Sequence, residues 1–387
     1  MASVADAVRR FGPAYRVRYR DGLLPSHRRV LRDLAACRTP ALGGHVTQCD
    51  HCGAEHVVYH SCRNRSCPTC HGAATAAWLA AREAELLPVP YFHVVFTLPS
   101  ALRAIVRTHQ RALLAALMTT AAESLQALAA DPRYVGGTLG ILAVLHTWTR
   151  ALIYHPHVHC LVPGGALAPD GQTWRPARRT FLVPVRALSV GFRARFLAQV
   201  KARCPDVVVP AAVWRQPWVV YCKPTVQGSA PVLRYLARYV HRVAITDARV
   251  RAVTAETVRF DYKDRRAAAG ACWRTMTVSG DEFLRRFLQH VLPRGFHKVR
   301  YYGLARAGAA TVRARLRQHL AADASPAERT PGVPNVSPSA GAPTPVRDTC
   351  RRCGAGHVWI VRTLRRAGTG LQADAACTTV PHTGLPP

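Results

Sequence analysis

Three histidines recur at every second position in the stretch HPHVHCLVPGG, which runs from His155 to Gly165. Successive side chains of an extended strand point to opposite faces, so His155, His157 and His159 share one face while Val158 and Cys160 take the other. Burying several neighbouring imidazoles requires a partner for each, and a metal ion serves them all at once. Imidazole donors alone suit zinc, copper, iron or nickel, whereas oxygen donors suit magnesium or manganese. His155 precedes Pro156 at the mouth of the strand, so His157 and His159 rank ahead of it as ligands. Neither Asp131 nor Asp170 is an evident third ligand, and His155 is the candidate that remains.

A second group is Cys49-x2-Cys52 followed by Cys67-x2-Cys70, which approximates the spacing of a four-thiolate zinc site. Such closed sites hold a fold rather than perform chemistry. Cys37, His45, His51, His60, Cys62 and His71 crowd the same region, so one of them, Cys62 for example, is available to replace a ligand or to share a second ion. Arg63 and Arg65 lie on the intervening loop CRNRSC, where guanidinium forks suit phosphate oxygens. A further pair, Cys350-x2-Cys353, resembles half of a zinc ribbon, with His357, Cys377 and His382 as candidates to complete it.

A third group lies in PVLRYLARYVHRV. At helical spacing Val232, Leu236, Val240 and Val243 form a core-facing stripe. Arg234, Arg238 and Arg242 form a second ridge, and Tyr235 and Tyr239 a third. Two phenols therefore stand beside a row of positive charge.

The elements that must carry these groups are mixed. YFHVVFTLPS and LGILAVLH read as strands, residues from about 100 to 129 as a long Ala/Leu helix, and residues near 186–203 as another helix. WVVYC and short segments over 249–278 read as further strands, and GDEFLRRFLQHVLP as a helix. Ser229 and Pro231 give the tyrosine segment helix-start chemistry. With no regular strand–helix–strand period, the expected fold class is α+β, a mainly antiparallel sheet flanked by helices and preceded by a small zinc-binding domain. Four segments are expected: a helical and zinc-binding domain at 1–88, an α+β domain with the histidine strand at 89–322, a Pro/Ala/Ser-rich disordered linker at 323–349, and a tail with the partial zinc knuckle at 350–387. No internal repeat is read.

The charge balance names the partner class. With 53 Lys+Arg against 21 Asp+Glu, the 387-residue chain carries a formal net charge of +32, which points to a polyanion such as nucleic acid. Only four lysines occur, Lys201, Lys223, Lys263 and Lys298, so arginine supplies nearly all of it. The N-terminus has no apolar signal core and no run of 18 apolar residues appears, so a cytoplasmic, nucleoid-associated protein with no membrane contact is expected. In that compartment thiols stay reduced and paired cysteines bind metal.

Together these residues resemble the HUH endonuclease superfamily and, more narrowly, the two-tyrosine rolling-circle transposases of bacterial insertion sequences. The matching pieces are SCRNRSCPTC, YFHVVFTLPSAL, HTWTRALIYHPHVHCLVPGGAL, YLARYVHRVAI, FDYKDRR and HVLPRGFHKVRYYGLA, in the family's order, from about residue 37 to 305. The resemblance implies that His157-Val158-His159 is the metal-binding strand and that Tyr235 and Tyr239 are the nucleophiles. Cys49, Cys52, Cys67 and Cys70 would be the zinc ligands. It implies Mg2+ or Mn2+ as catalytic cofactor, Zn2+ as structural ion, and a 5′-phosphotyrosine intermediate on single-stranded DNA at transposon ends and target. No small-molecule substrate is expected. Two rival classes remain. A three-histidine metallohydrolase leaves the cysteines and the arginine row unused; a non-catalytic zinc DNA-binding protein leaves the histidine strand unused.

Overall fold

The structure is a computed structural model that describes residues 2–70, 72–83, 85–225, 244–264, 272–322 and 349–366, the side chains of 72–76 excepted. In chain order the elements are helices α1 (Val4–Arg18) and α2 (Pro25–Ala36), strands β1 (Gly44–Cys49) and β2 (Glu55–Tyr59), and helix α3 (Gly72–Glu83). Strand β3 (Tyr91–Thr97), helices α4 (Arg103–Thr108) and α5 (Gln110–Ala129), and strands β4 (Gly140–Trp148), β5 (Tyr154–Pro163), β6 (Gly165–Leu167) and β7 (Trp174–Pro176) follow. Next come α6 (Val185–Arg203), α7 (Ala212–Arg215), β8 (Val220–Pro224), β9 (Val250–Val253), β10 (Thr257–Asp264) and β11 (Cys272–Ser279). The last are α8 (Gly280–Leu288), β12 (Val299–Gly303), α9 (Ala310–Ala322) and β13 (Val358–Leu364). The class is α+β, as expected.

The chain divides into two units, and the division is not the one the sequence suggests. The larger takes Met1–Ala35 with Arg63–Ser337; the smaller takes Ala36–Cys62 with Pro338–Pro387. Residues 349–366 therefore cluster with residues from the first sixth of the chain.

In the larger unit the central sheet has the order β12-β4-β5-β3-β8, every neighbour antiparallel. One face is apolar, because alternation sends Ile141, Ala143 and Leu145 of β4, Val158, Cys160 and Val162 of β5, and Phe92, Val94 and Phe96 of β3 to the same side. Helices α5 and α6 cover it with Leu113, Leu117, Leu125, Phe192 and Phe196. The Phe96 and Phe192 rings stand 4.8 Å apart. The expected long helix over 100–129 is two helices, broken at His109, whose φ of −102° and ψ of 41° leave helical space. By length and composition α5 is apolar enough to cross a membrane, yet most of it is buried in this core. A second, three-stranded meander, β9-β10-β11, packs Phe260 against Phe283 of α8.

In the smaller unit β1 lies between β2 and β13, antiparallel to both, with Cys49 opposite Val358. The β1–β2 hairpin alone is too small to be stable in isolation. A strand from some 300 residues further along completes it.

Candidate functional site

The opposite face of the central sheet carries the histidines. Strand register sets their meeting: His146 of β4 pairs directly with His157 of β5, and His159 stands two residues further along the same face. The ligand nitrogens of His146, His157 and His159 lie within 4.8 Å of one another. The third member was missed from sequence because it sits on another strand, where only register shows the pairing. His155, the sequence-based candidate, is not in the group. Between the pairs His146/His157 and Trp148/Tyr154 the ladder slips by one residue. Pro156, with no N–H to give the ladder, lies within that bulge, and the His155 ring stays 5.4 Å from that of His157. The ring nitrogen Nδ1 of His155 instead accepts from the Arg103 guanidinium at 3.0 Å.

Neighbours hold the remaining rings in one orientation. The Nδ1–H of His157 donates to the His155 carbonyl at 2.7 Å, which turns its Nε2 lone pair toward the group. Nδ1 of His159 is 2.9 Å from Nε2 of His93 on β3, with the two rings stacked. Trp148 stacks on His146 at 4.6 Å between ring centres. Burial pulls the pKa values of His157 and His93 down to about 4, so both are neutral at physiological pH, the form in which imidazole binds metal. Basic side chains border the site. Lys223 lies over the ring of Tyr221, which meets His93 edge-on. Lys298, drawn down to about 8 by burial and by the Arg65 charge, lines a cavity with Trp148 and His290.

Arg65 departs from its expected role. Its guanidinium donates to the carbonyls of Phe296 at 2.6 Å, Leu292 at 2.8 Å and Pro293 at 2.6 Å, so it ties the 292–296 segment in place and offers few donors to phosphate. Arg63 is exposed, at a left-handed φ of 51°. Tyr235, Tyr239, Arg234, Arg238 and Arg242 lie outside the described residues.

The cysteines also regroup. The thiols of Cys49 and Cys52 gather with those of Cys350 and Cys353, all four within 4.8 Å of one another, whereas Cys67 and Cys70 belong to the larger unit. Cys62 is not in this group, and neither is His357, whose backbone N–H donates to Asp50 Oδ1 at 2.8 Å. A sequence signal for the regrouping exists: CDHCGAEHV (Cys49–Val57) and CRRCGAGHV (Cys350–Val358) agree at six of nine positions, a short repeat separated by almost the whole chain.

Strand-borne histidines beside an arginine-rich sequence and a thiolate cluster are the equipment of a DNA-processing protein, and the comparisons with known proteins agree. A family model described as "Putative transposase" matches residues 140–313, and one described as "Transposase zinc-binding domain" matches residues 7–98. The chain belongs to the IS91 family of transposases. It is 45% identical over 318 residues to "Putative transposase y4qJ" of Sinorhizobium fredii, covering 78% of this chain and 79% of that one. It is 32% identical over 289 residues to the transposase for insertion sequence element IS801 of Pseudomonas savastanoi pv. phaseolicola, covering 70% and 68%. No solved structure matches it. A structural zinc is in keeping with the matched zinc-binding domain and the cysteine group.

Proposed function

We propose that this transposase cuts and rejoins single-stranded DNA at element ends and target through a 5′-phosphotyrosine, driving rolling-circle transposition on nucleoid DNA in the cytoplasm. His146, His157 and His159 would hold a divalent ion, Mg2+ or Mn2+, and Tyr235 and Tyr239 would be the nucleophiles. The observation that carries this reading is the convergence of three imidazoles on the sheet face opposite the α5/α6 core, two of them with their second nitrogen already engaged. A hydrolase acting on a small molecule would not need the +32 charge.

In the forward step a tyrosine oxygen bonds to phosphorus and its proton passes to solvent. The bond from phosphorus to the 3′ oxygen breaks, and that oxygen leaves as a free hydroxyl after taking up a proton. A divalent ion, when bound, offsets the charge that gathers on the phosphoryl oxygens. The phosphodiester energy is kept in the tyrosyl ester, so a 3′-hydroxyl from another strand can reverse the exchange without ATP. Two tyrosines let one hold a cut end while the other performs a second exchange. A phenol ordinarily near pKa 10 needs neighbouring positive charge to react, and Arg234, Arg238 and Arg242 alternate with the pair in sequence at helical spacing. Arg63 remains as a contact to the DNA backbone.

The test is incubation of the full chain with a single-stranded oligonucleotide of element-end sequence and Mn2+ or Mg2+. A protein–DNA adduct that survives boiling in detergent is expected. The variant Y235F/Y239F should lose the adduct and keep DNA binding, and H157A or H159A should lose it too. Metal-dependent cutting without any adduct would sink the reading.

A further inference from the structure

We infer that one zinc ion closes the smaller unit by joining the two ends of the chain, with Cys49 and Cys52 supplying one half of its ligands and Cys350 and Cys353 the other. The matched zinc-binding domain stops at residue 98 and so contains only half of this set.

The distances fit a thiolate-bound ion. Four thiolates bonded at about 2.3 Å in a tetrahedron place their sulfurs about 3.8 Å apart. Cys49 Sγ stands 3.7 Å from Cys353 Sγ, and Cys52 Sγ stands 3.8 Å from Cys350 Sγ. A disulfide would need about 2.05 Å. The close sulfur pairs join one knuckle to the other, as a shared ion requires.

The two knuckles are built alike. In the first, Gly53 N–H donates to the Cys49 carbonyl at 3.1 Å and Cys49 N–H to the Ala54 carbonyl at 3.0 Å. In the second, Gly354 N–H donates to the Cys350 carbonyl at 2.9 Å and Cys350 N–H to the Gly356 carbonyl at 2.7 Å. Both turns end on a glycine at positive φ, 68° for Gly53 and 70° for Gly354, where a side chain would be strained. Backbone amides also point at sulfur, as suits a thiolate: those of His51 and Cys52 to Cys49 at 3.4 and 3.5 Å, and those of Arg352 and Gly356 to Cys350 and Cys353 at 3.4 Å each.

One departure from the repeat supports the same conclusion. Where the first knuckle has Glu55 the second has Gly356, and a Cβ at 356 would fall 2.5 Å from Cys49 Sγ and 2.6 Å from His51 Cβ. The second knuckle carries no side chain at the position where it meets the first. Asp50 then joins the two knuckles, accepting from the N–H of His357 at 2.8 Å and from Nε1–H of Trp359 at 3.3 Å.

The experiment is a zinc count on the purified full chain by elemental mass spectrometry. C350S/C353S should bind one ion fewer per chain than wild type, and C49S/C52S one fewer as well. The quadruple variant should also lose one ion, because the pairs share it. No loss from C350S/C353S, or a loss of two from the quadruple variant, would overturn the inference. A second measurement does not depend on cysteine substitution. With a protease site inserted between residues 323 and 348 and then cut, the 350–387 fragment should co-elute with the rest in zinc and separate once a chelator strips the metal. Separation with zinc still bound, or continued attachment without it, would overturn the inference.

Discussion

The histidine face and the cysteine ribbon both gather soft side chains from separate stretches of chain, by opposite means. His146, His157 and His159 come from adjacent strands of one sheet whose other face is packed with apolar side chains, so the core sets the register and the register sets the ligands. Cys49, Cys52, Cys350 and Cys353 belong to a small unit whose described residues form three strands, where Val57, Trp359 and Ile360 remain exposed. There the inferred zinc would supply stability that packing does not. A site that performs chemistry rests on a fold that stands without it, whereas a site that holds a fold is part of that fold.

The comparison can be broken first at the histidines. His146→Ala should abolish metal-dependent DNA cleavage as completely as His157→Ala, while His155→Ala leaves cleavage measurable; the reverse ranking would restore His155 as the third ligand. Next comes the core beneath them. Phe96→Ala should cost about 3–5 kcal/mol of stability in urea denaturation, with zinc content unchanged, since Phe96 is fully buried in the larger unit.

A third expectation concerns pH. His27 is held to about 4 by burial and by Arg107, whose Nη2 is 3.4 Å from its Nε2, and burial holds His290 to about 3. The unfolded chain binds protons at these sites below its ordinary histidine range while the folded chain resists. Their contribution is therefore complete above pH 6.5 and is lost as pH falls toward 4. Between pH 7.5 and 5 the loss should be on the order of 2 kcal/mol for His27 alone, and His27→Gln should shrink it. An unchanged urea midpoint across that range would contradict the neutral, buried assignment.

Smaller effects sharpen the contrast. His93→Ala should weaken metal affinity at the histidine face by roughly 10–100-fold by releasing the His159 ring, without changing the zinc count. Asp50→Ala should loosen the smaller unit by removing the His357 and Trp359 hydrogen bonds, visible as faster zinc loss to a chelator, and leave the histidine face untouched.

The sequence disclosed what is local. The alternation of His157 and His159, the strands around them and the two-residue spacing within each cysteine pair are visible in short windows. His146 was not, because it becomes a neighbour only through the ladder between β4 and β5. His155 shares the period, but its ring is taken by Arg103, a partner that spacing alone does not reveal. The pairing of Cys49-x2-Cys52 with Cys67-x2-Cys70 also followed nearness in sequence; the true partner was marked by a repeated CGA-x-HV that nearness does not reveal. Arg65 shows that an arginine's residue type does not tell whether carbonyls or phosphates will take its hydrogen bonds.

For the proposed chemistry a tyrosine must reach a phosphate held at the histidine face. Digestion of the detergent-resistant adduct and mass spectrometry of the DNA-bearing peptide tests it most directly. The nucleotide should be found on Tyr235 or Tyr239, attached through its 5′ phosphate, and only when His146, His157 and His159 are intact. A nucleotide on any other residue, or an adduct that forms equally well in the triple histidine variant, would contradict it.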